Sequence, residues 1–130
     1  MLRLFSACVL TAALAAPLGA QTFHAKNGVT ATPDAGVFSV ANGGGLGARG
    51  MWCAAADYAR DVLGANGSQR IYVAEDRARG QRGPVRFTLD ATGLTPSRVS
   101  IIGSSIRTAG ANLSVGHAIS FCADFKLRSR

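Results

Sequence analysis

The chain has 130 residues and carries fourteen Lys and Arg against seven Asp and Glu, a formal net charge of +7. Its length suits one domain with a modest core. Two histidines and three cysteines are a thin inventory for metal or acid–base chemistry, and beyond the first twenty residues no run is long and apolar enough to span a bilayer.

Those first twenty residues are set apart from the fold. Met1-Leu2-Arg3 is a short positive start, Leu4–Leu14 is apolar apart from Ser6 and Thr11, and Pro17–Ala20 supplies a small-residue exit. The pattern predicts a signal peptide over residues 1–20, cleaved between Ala20 and Gln21, and a single exported domain over 21–130. Cys8 has too few residues before it to serve as a lipidated cysteine behind an apolar segment. The mature product is expected in the periplasm or secreted. Two cysteines remain, Cys53 and Cys122, and an even count in an exported chain favours a disulfide over a metal site or a nucleophile. The bond would close a loop of about 70 residues, worth about 4 kcal/mol in the chain-entropy model. Loss of Arg3 with the leader lowers the charge from +7 to +6, carried almost entirely by arginine. An anionic partner follows from that charge: an envelope polymer, lipid head groups or an acidic protein surface. Nucleic acid does not fit the compartment.

Along the mature chain, Asn27-Gly28 within Thr22–Thr32 predicts a hairpin at a sheet edge. Pro33-Asp34-Ala35-Gly36 reads as a turn and Val37–Ala41 as a short strand. Asn42–Gly50 is a glycine loop that runs into an amphipathic helix, Met51–Leu63. On a 100° wheel Trp52, Ala55, Ala56, Ala59, Val62 and Leu63 share the apolar side, while Asp57 and Asp61 lie opposite. Gly64 stops the helix. Ile71–Glu75 and Val85–Leu89 are joined by too few residues for a crossover, so they should be antiparallel. Arg98–Arg107 is expected as a further strand, and Leu113–Leu127 as a last strand or pair. The fold class is α+β: one helix, about 51–63, packed on an antiparallel β-meander of four to five strands. A regular strand over Gly116–Leu127 would set Cys122 on the same side as Ser120 and Asp124, opposite Phe121. The disulfide would then need a bulge or a strand end.

Gly45-Leu46-Gly47-Ala48-Arg49-Gly50 spells G-x-G-x-x-G and so resembles a dinucleotide-binding turn. An exported chain and an ensuing hairpin argue against that chemistry, and no cofactor is expected. What survives is a helix start with no Ser, Thr, Asp or Asn immediately before Met51, where Arg49 beside open N–H groups would suit an anion. The densest positive run, Arg77-Ala78-Arg79-Gly80-Gln81-Arg82-Gly83-Pro84-Val85-Arg86, falls on a hairpin loop without interleaved aromatics, unlike a base-stacking platform. Arg49, Arg77, Arg79, Arg82 and Arg86 are therefore the candidate contacts for an anion or partner. His24 and His117 have no metal-ligand spacing. Glu75 and Asp76 diverge on a strand end rather than facing one substrate bond. No metal site and no catalytic residue is assigned. The expected function is a non-catalytic binding or envelope-associated structural module. The alternative is a small exported hydrolase with His117 beside a carboxylate or serine.

Overall fold

A computed structural model describes residues 21–43 and 45–128. The leader, with its expected cleavage site after Ala20, lies outside them. The fold is a seven-stranded mixed sheet with one long helix, two short ones and a 3-10 helix. The strands are β1 (Phe23–His24), β2 (Thr30–Asp34), β3 (Val37–Val40), β4 (Arg70–Val73), β5 (Val85–Thr88), β6 (Ser97–Arg98) and β7 (Ala111–Ser114); the helices are α1 (Gly47–Asp61), α2 (Val115–Ser120) and α3 (Ala123–Arg128). Strand order is β1-β2-β3-β5-β4-β7-β6. All pairings are antiparallel except β6 with β7, so the expected four- to five-stranded meander is both too small and too regular.

The hairpin at Asn27-Gly28 forms, with Gly28 at φ +80° and Phe23 opposite Ala31 at the sheet edge. Pro33 and Asp34 continue β2 rather than turning, and the two-residue turn is Ala35-Gly36, both with positive φ as a tight hairpin of right-handed twist requires. Pro33 is tolerated because β1 covers only Thr30 and Ala31, which leaves β2 an edge at the proline. Strands β3 and β4 are both antiparallel to β5, hence parallel to each other, with β5 between them and α1 as the crossover. The β4–β5 hairpin is as the short connection predicts.

Helix α1 begins four residues before the expected Met51 and ends two residues before Leu63. Gly50 lies within it, where a Cβ would collide with Leu46 Cβ, so the position demands glycine. At the other end Gly64, at φ +69°, reverses the chain and Ala65 N–H returns to Ala59 O. Val62 and Leu63, assigned to the apolar face, are therefore past the helix and 52% and 47% exposed. Asp57, assigned to the solvent side, is only 1% exposed. Every residue from Gly50 to Ala59 is buried, since the helix is enclosed rather than laid on a sheet. Its alanines permit that approach. Trp52 packs edge-on against Phe87 at 5.0 Å and donates its indole N–H to Ser105 Oγ at 2.7 Å; Tyr58 meets Phe38 and Phe23. Asp57 accepts from Lys26 N–H and from Arg60 Nη2, at 2.8 and 2.9 Å. Asn27 Nδ2 donates to Gly50 O, so the tip of the first hairpin docks on α1 through two polar links, one buried and one partly buried.

Two expected strands are helical. Of the expected Arg98–Arg107 strand only Arg98 belongs to a strand, β6, and Ile102–Arg107 is a 3-10 helix. Ser104 and Ser105 donate their hydroxyls to the carbonyls of Ile101 and Ile102, the local competition by which serine displaces a strand ladder. The last strand stops at Ser114, whose Oγ caps α2 by accepting from His117 N–H. Val115, Ala118 and Phe121 are buried at helical spacing, although Ile119, Phe121, Ala123 and Phe125 also alternate. Cys122 thus stands between α2 and α3, facing α1 without a bulge, and is bonded to Cys53 with their Cα atoms 5.0 Å apart. Among the described residues no helix is long and apolar enough to cross a membrane.

Replacing both Cys53 and Cys122 by alanine should lower unfolding free energy by about 4 kcal/mol, read as a shift of the denaturant midpoint against the oxidised parent. Asp57→Ala, which strands the Lys26 N–H, should cost about 1–3 kcal/mol in the same assay, more than Asp61→Ala on the exposed side.

Candidate functional site

The β4–β5 connection is built by its own polar groups. Asp76 Oδ1 accepts from Ala109 N–H at 2.8 Å, and Arg77 N–H donates to Arg107 O at 2.8 Å. These two bonds fasten the start of the loop to the end of the 3-10 helix. The chain then curls around Arg77, whose Nη2 donates to Gln81 O and Gly83 O at 3.2 and 2.9 Å. Gln81 answers with its own Oε1, accepting from Ala78 N–H, while Gly80 and Gly83 take positive φ to close the curl. Arg77 Nε is buried with no partner among the described residues, so the guanidinium is held at one edge only.

The loop and the 3-10 helix border a cleft of about 280 Å³. Arg77, Arg82 and Arg107 line it, with Asn42 and Gln81 as polar neighbours and Met51 among its apolar wall; no carboxylate lines it. Guanidinium groups stay charged at any physiological pH, so the cleft is a fixed positive site. Arg82 and Arg107 are exposed, and their side chains make no hydrogen bond or ion pair with a described residue.

The five arginines singled out in the sequence part company. Arg77 and Arg82 meet in the cleft, and Arg79 is exposed on the same loop. Arg86 points from β5 to the uncovered face of the sheet, where it bridges Asp34 at 3.2 Å and Glu75 at 3.3 Å. Arg49 sits in the first turn of α1 but turns to α3: its Nε and Nη2 grip the Asp124 carboxylate as a fork, and its Cζ lies 4.2 Å over the Phe121 ring. The fork from Arg49 holds the Asp124 carboxyl below the usual carboxylate range, and the same bond raises the guanidinium. Arg107 was not among the expected contacts. Read as the end of a strand, it has no sequence signal linking it to the loop; the link is the Arg77 N–H bond to its carbonyl.

The other chemistry weighed in the sequence falls elsewhere. The strand before the glycine loop, β3, is separated from β4 by β5, so the adjacent parallel pair of a dinucleotide fold is not formed. His117 is exposed on α2 against Phe121, and its ring hydrogen-bonds none of the described residues; Ser114 and Ser120 reach only its backbone. Among the described residues no three His, Cys, Asp or Glu side chains converge. The chain matches no protein-family model, no curated protein and no solved structure.

The depressed Asp124 carboxyl has a pH signature. Its stabilisation is fully present above the ordinary carboxylate value near 4 and is lost as pH falls through the lower folded value. The stability difference between parent and Asp124→Asn, measured by denaturant titration, should be plain at neutral pH and close on acidification, and added salt should shrink it because both groups are exposed.

Proposed function

We propose that the mature chain is a small exported, non-catalytic binding module that associates with an anionic partner of the cell envelope. The contact surface is the Arg77–Arg86 loop with the adjoining cleft. One observation carries this reading: three arginine side chains line a single cleft that no carboxylate lines. A cleft walled by charge of one sign concentrates opposite charge and speeds encounter with it. The signal segment supplies the compartment and the disulfide agrees with it, since such bonds persist where the surroundings are oxidising.

Arg79 and Arg82 test the surface without disturbing the scaffold, because both are exposed and neither side chain bonds a described residue. Vesicles rich in phosphatidylglycerol and an immobilised anionic polymer serve as probes. Each cation near an anionic lipid surface contributes about 1 kcal/mol. The double variant R79A/R82A should therefore bind vesicles about thirtyfold more weakly than the parent, with a shallower dependence on salt. Equal retention of variant and parent on both supports would sink the proposal.

A further inference from the structure

We infer that the arginine cleft is a site for a terminal phosphate monoester on a compact body. This rests on the anion-binding reading above and names the ligand class.

The acidic side chains are engaged away from the cleft. Asp34 and Glu75 hold Arg86, Asp57 and Asp61 hold Arg60, and Asp124 holds Arg49. Asp76 accepts from Ala109 N–H, and Asp90 from Thr92 through both its backbone and its hydroxyl. Those are all seven acidic side chains of the sequence. Among the described residues none of them forms an ion pair with Arg77, Arg82 or Arg107, which leaves those guanidinium groups open to an anion from outside the chain.

Valence and size narrow the ligand further. One carboxylate would leave two of three guanidinium charges uncompensated. A phosphate monoester carries about −1.5 to −2 at neutral pH and presents three strong acceptor oxygens. Guanidinium forks bind such oxygens bidentately. At about 280 Å³ the cleft falls just below the roughly 300–1,000 Å³ typical of drug-sized ligands. It takes an end group and a small body rather than a length of polymer. Asn42 and Gln81 offer amides to that body, and Met51 and Ile106 an apolar wall.

Part of the cleft is preorganised. Two backbone carbonyls fix the Arg77 guanidinium, and the Asp76–Ala109 and Arg77–Arg107 bonds fix the loop on the 3-10 helix. The ordering left to oppose binding is that of the exposed Arg82 and Arg107 side chains.

The test is calorimetric and NMR titration of the disulfide-intact mature chain at constant ionic strength. Inorganic phosphate, glycerol phosphate and acetate are the small probes, with phosphatidylglycerol vesicles as a phosphodiester surface. Glycerol phosphate should bind saturably, shift the amides of Asn42, Gln81 and Arg107, and exceed acetate in affinity by about tenfold or more, the effect of one charge-assisted bond. R82A and R107A should each weaken it about tenfold while keeping the parent's melting transition and near-ultraviolet signal. Acetate binding as tightly as glycerol phosphate overturns the ligand class, and an R107A titration matching the parent overturns the site. Vesicle retention sensitive to R79A/R82A, with no saturable phosphate binding, overturns this inference and leaves the broader reading standing. Loss of both overturns the two together.

Discussion

Helix α1 is buried around its whole circumference from Gly50 to Ala59, and that constraint explains how the other elements are fastened. A helix laid on a sheet needs one apolar stripe; an enclosed helix needs a neighbour on every side, and each neighbour must satisfy whatever polar group it covers. The sheet supplies Phe38, Val40, Ile71, Val73, Val85 and Phe87 against the alanines and Trp52. The first hairpin is held by Lys26 N–H on Asp57 and Asn27 on Gly50 O. The 3-10 helix presents Ser105 to the one indole N–H that would otherwise be stranded. The α2–α3 corner carries the covalent link to Cys53 and the fork between Asp124 and Arg49. Each fastening joins residues at least 23 apart in sequence, so none follows from local preference.

That pattern separates what was legible in the residues from what was not. The α+β class, the Asn27-Gly28 hairpin, the antiparallel β4–β5 pair and the Cys53–Cys122 bond all follow from local signals or from cysteine arithmetic. Asp57 was misplaced because a helical wheel assumes a wet side, and α1 has none within its buried span. The C-terminal third was misread for another reason. Ile119, Phe121, Ala123 and Phe125 satisfy a period of two, while Val115, Ala118 and Phe121 satisfy 3.6. In short runs the two periods overlap, and the decisive residue was Ser114 as a cap. Once that segment is helical, the awkward phase of Cys122 disappears. The cleft was half visible: Arg77 and Arg82 lie in the basic run, but Arg107 arrives through a backbone bond across 30 residues.

Charge is distributed by the same logic. A basic chain with few carboxylates can neutralise only some of its arginines, and here the pairs join α1 to α3, Arg60 to Asp57 within α1, and Arg86 of β5 to Asp34 of β2 and to Glu75 just past β4. Exposed pairs of this kind add little stability singly. Their larger effect is on where positive charge remains uncompensated. With Asp76 turned to Ala109 and Glu75 to Arg86, the two acids nearest the loop in sequence are drawn away from Arg77 and Arg82.

The position of the cleft then has a structural reason. Its wall is the 3-10 helix, and that helix is anchored by Ser105 on Trp52, the largest fully buried side chain of the protein. Serine hydroxyls returning to their own backbone keep Ile102–Arg107 from extending as a strand, which would have carried Arg107 along the sheet instead of turning it toward the loop. The disulfide is bonded to α1 one residue along from Trp52, and tethers a different corner. Cutting that tether therefore acts on α2 and α3 first, whereas weakening the Trp52–Ser105 bond acts directly on the wall that carries Arg107. The disulfide corner and the arginine cleft share one helix, but they reach it through separate residues.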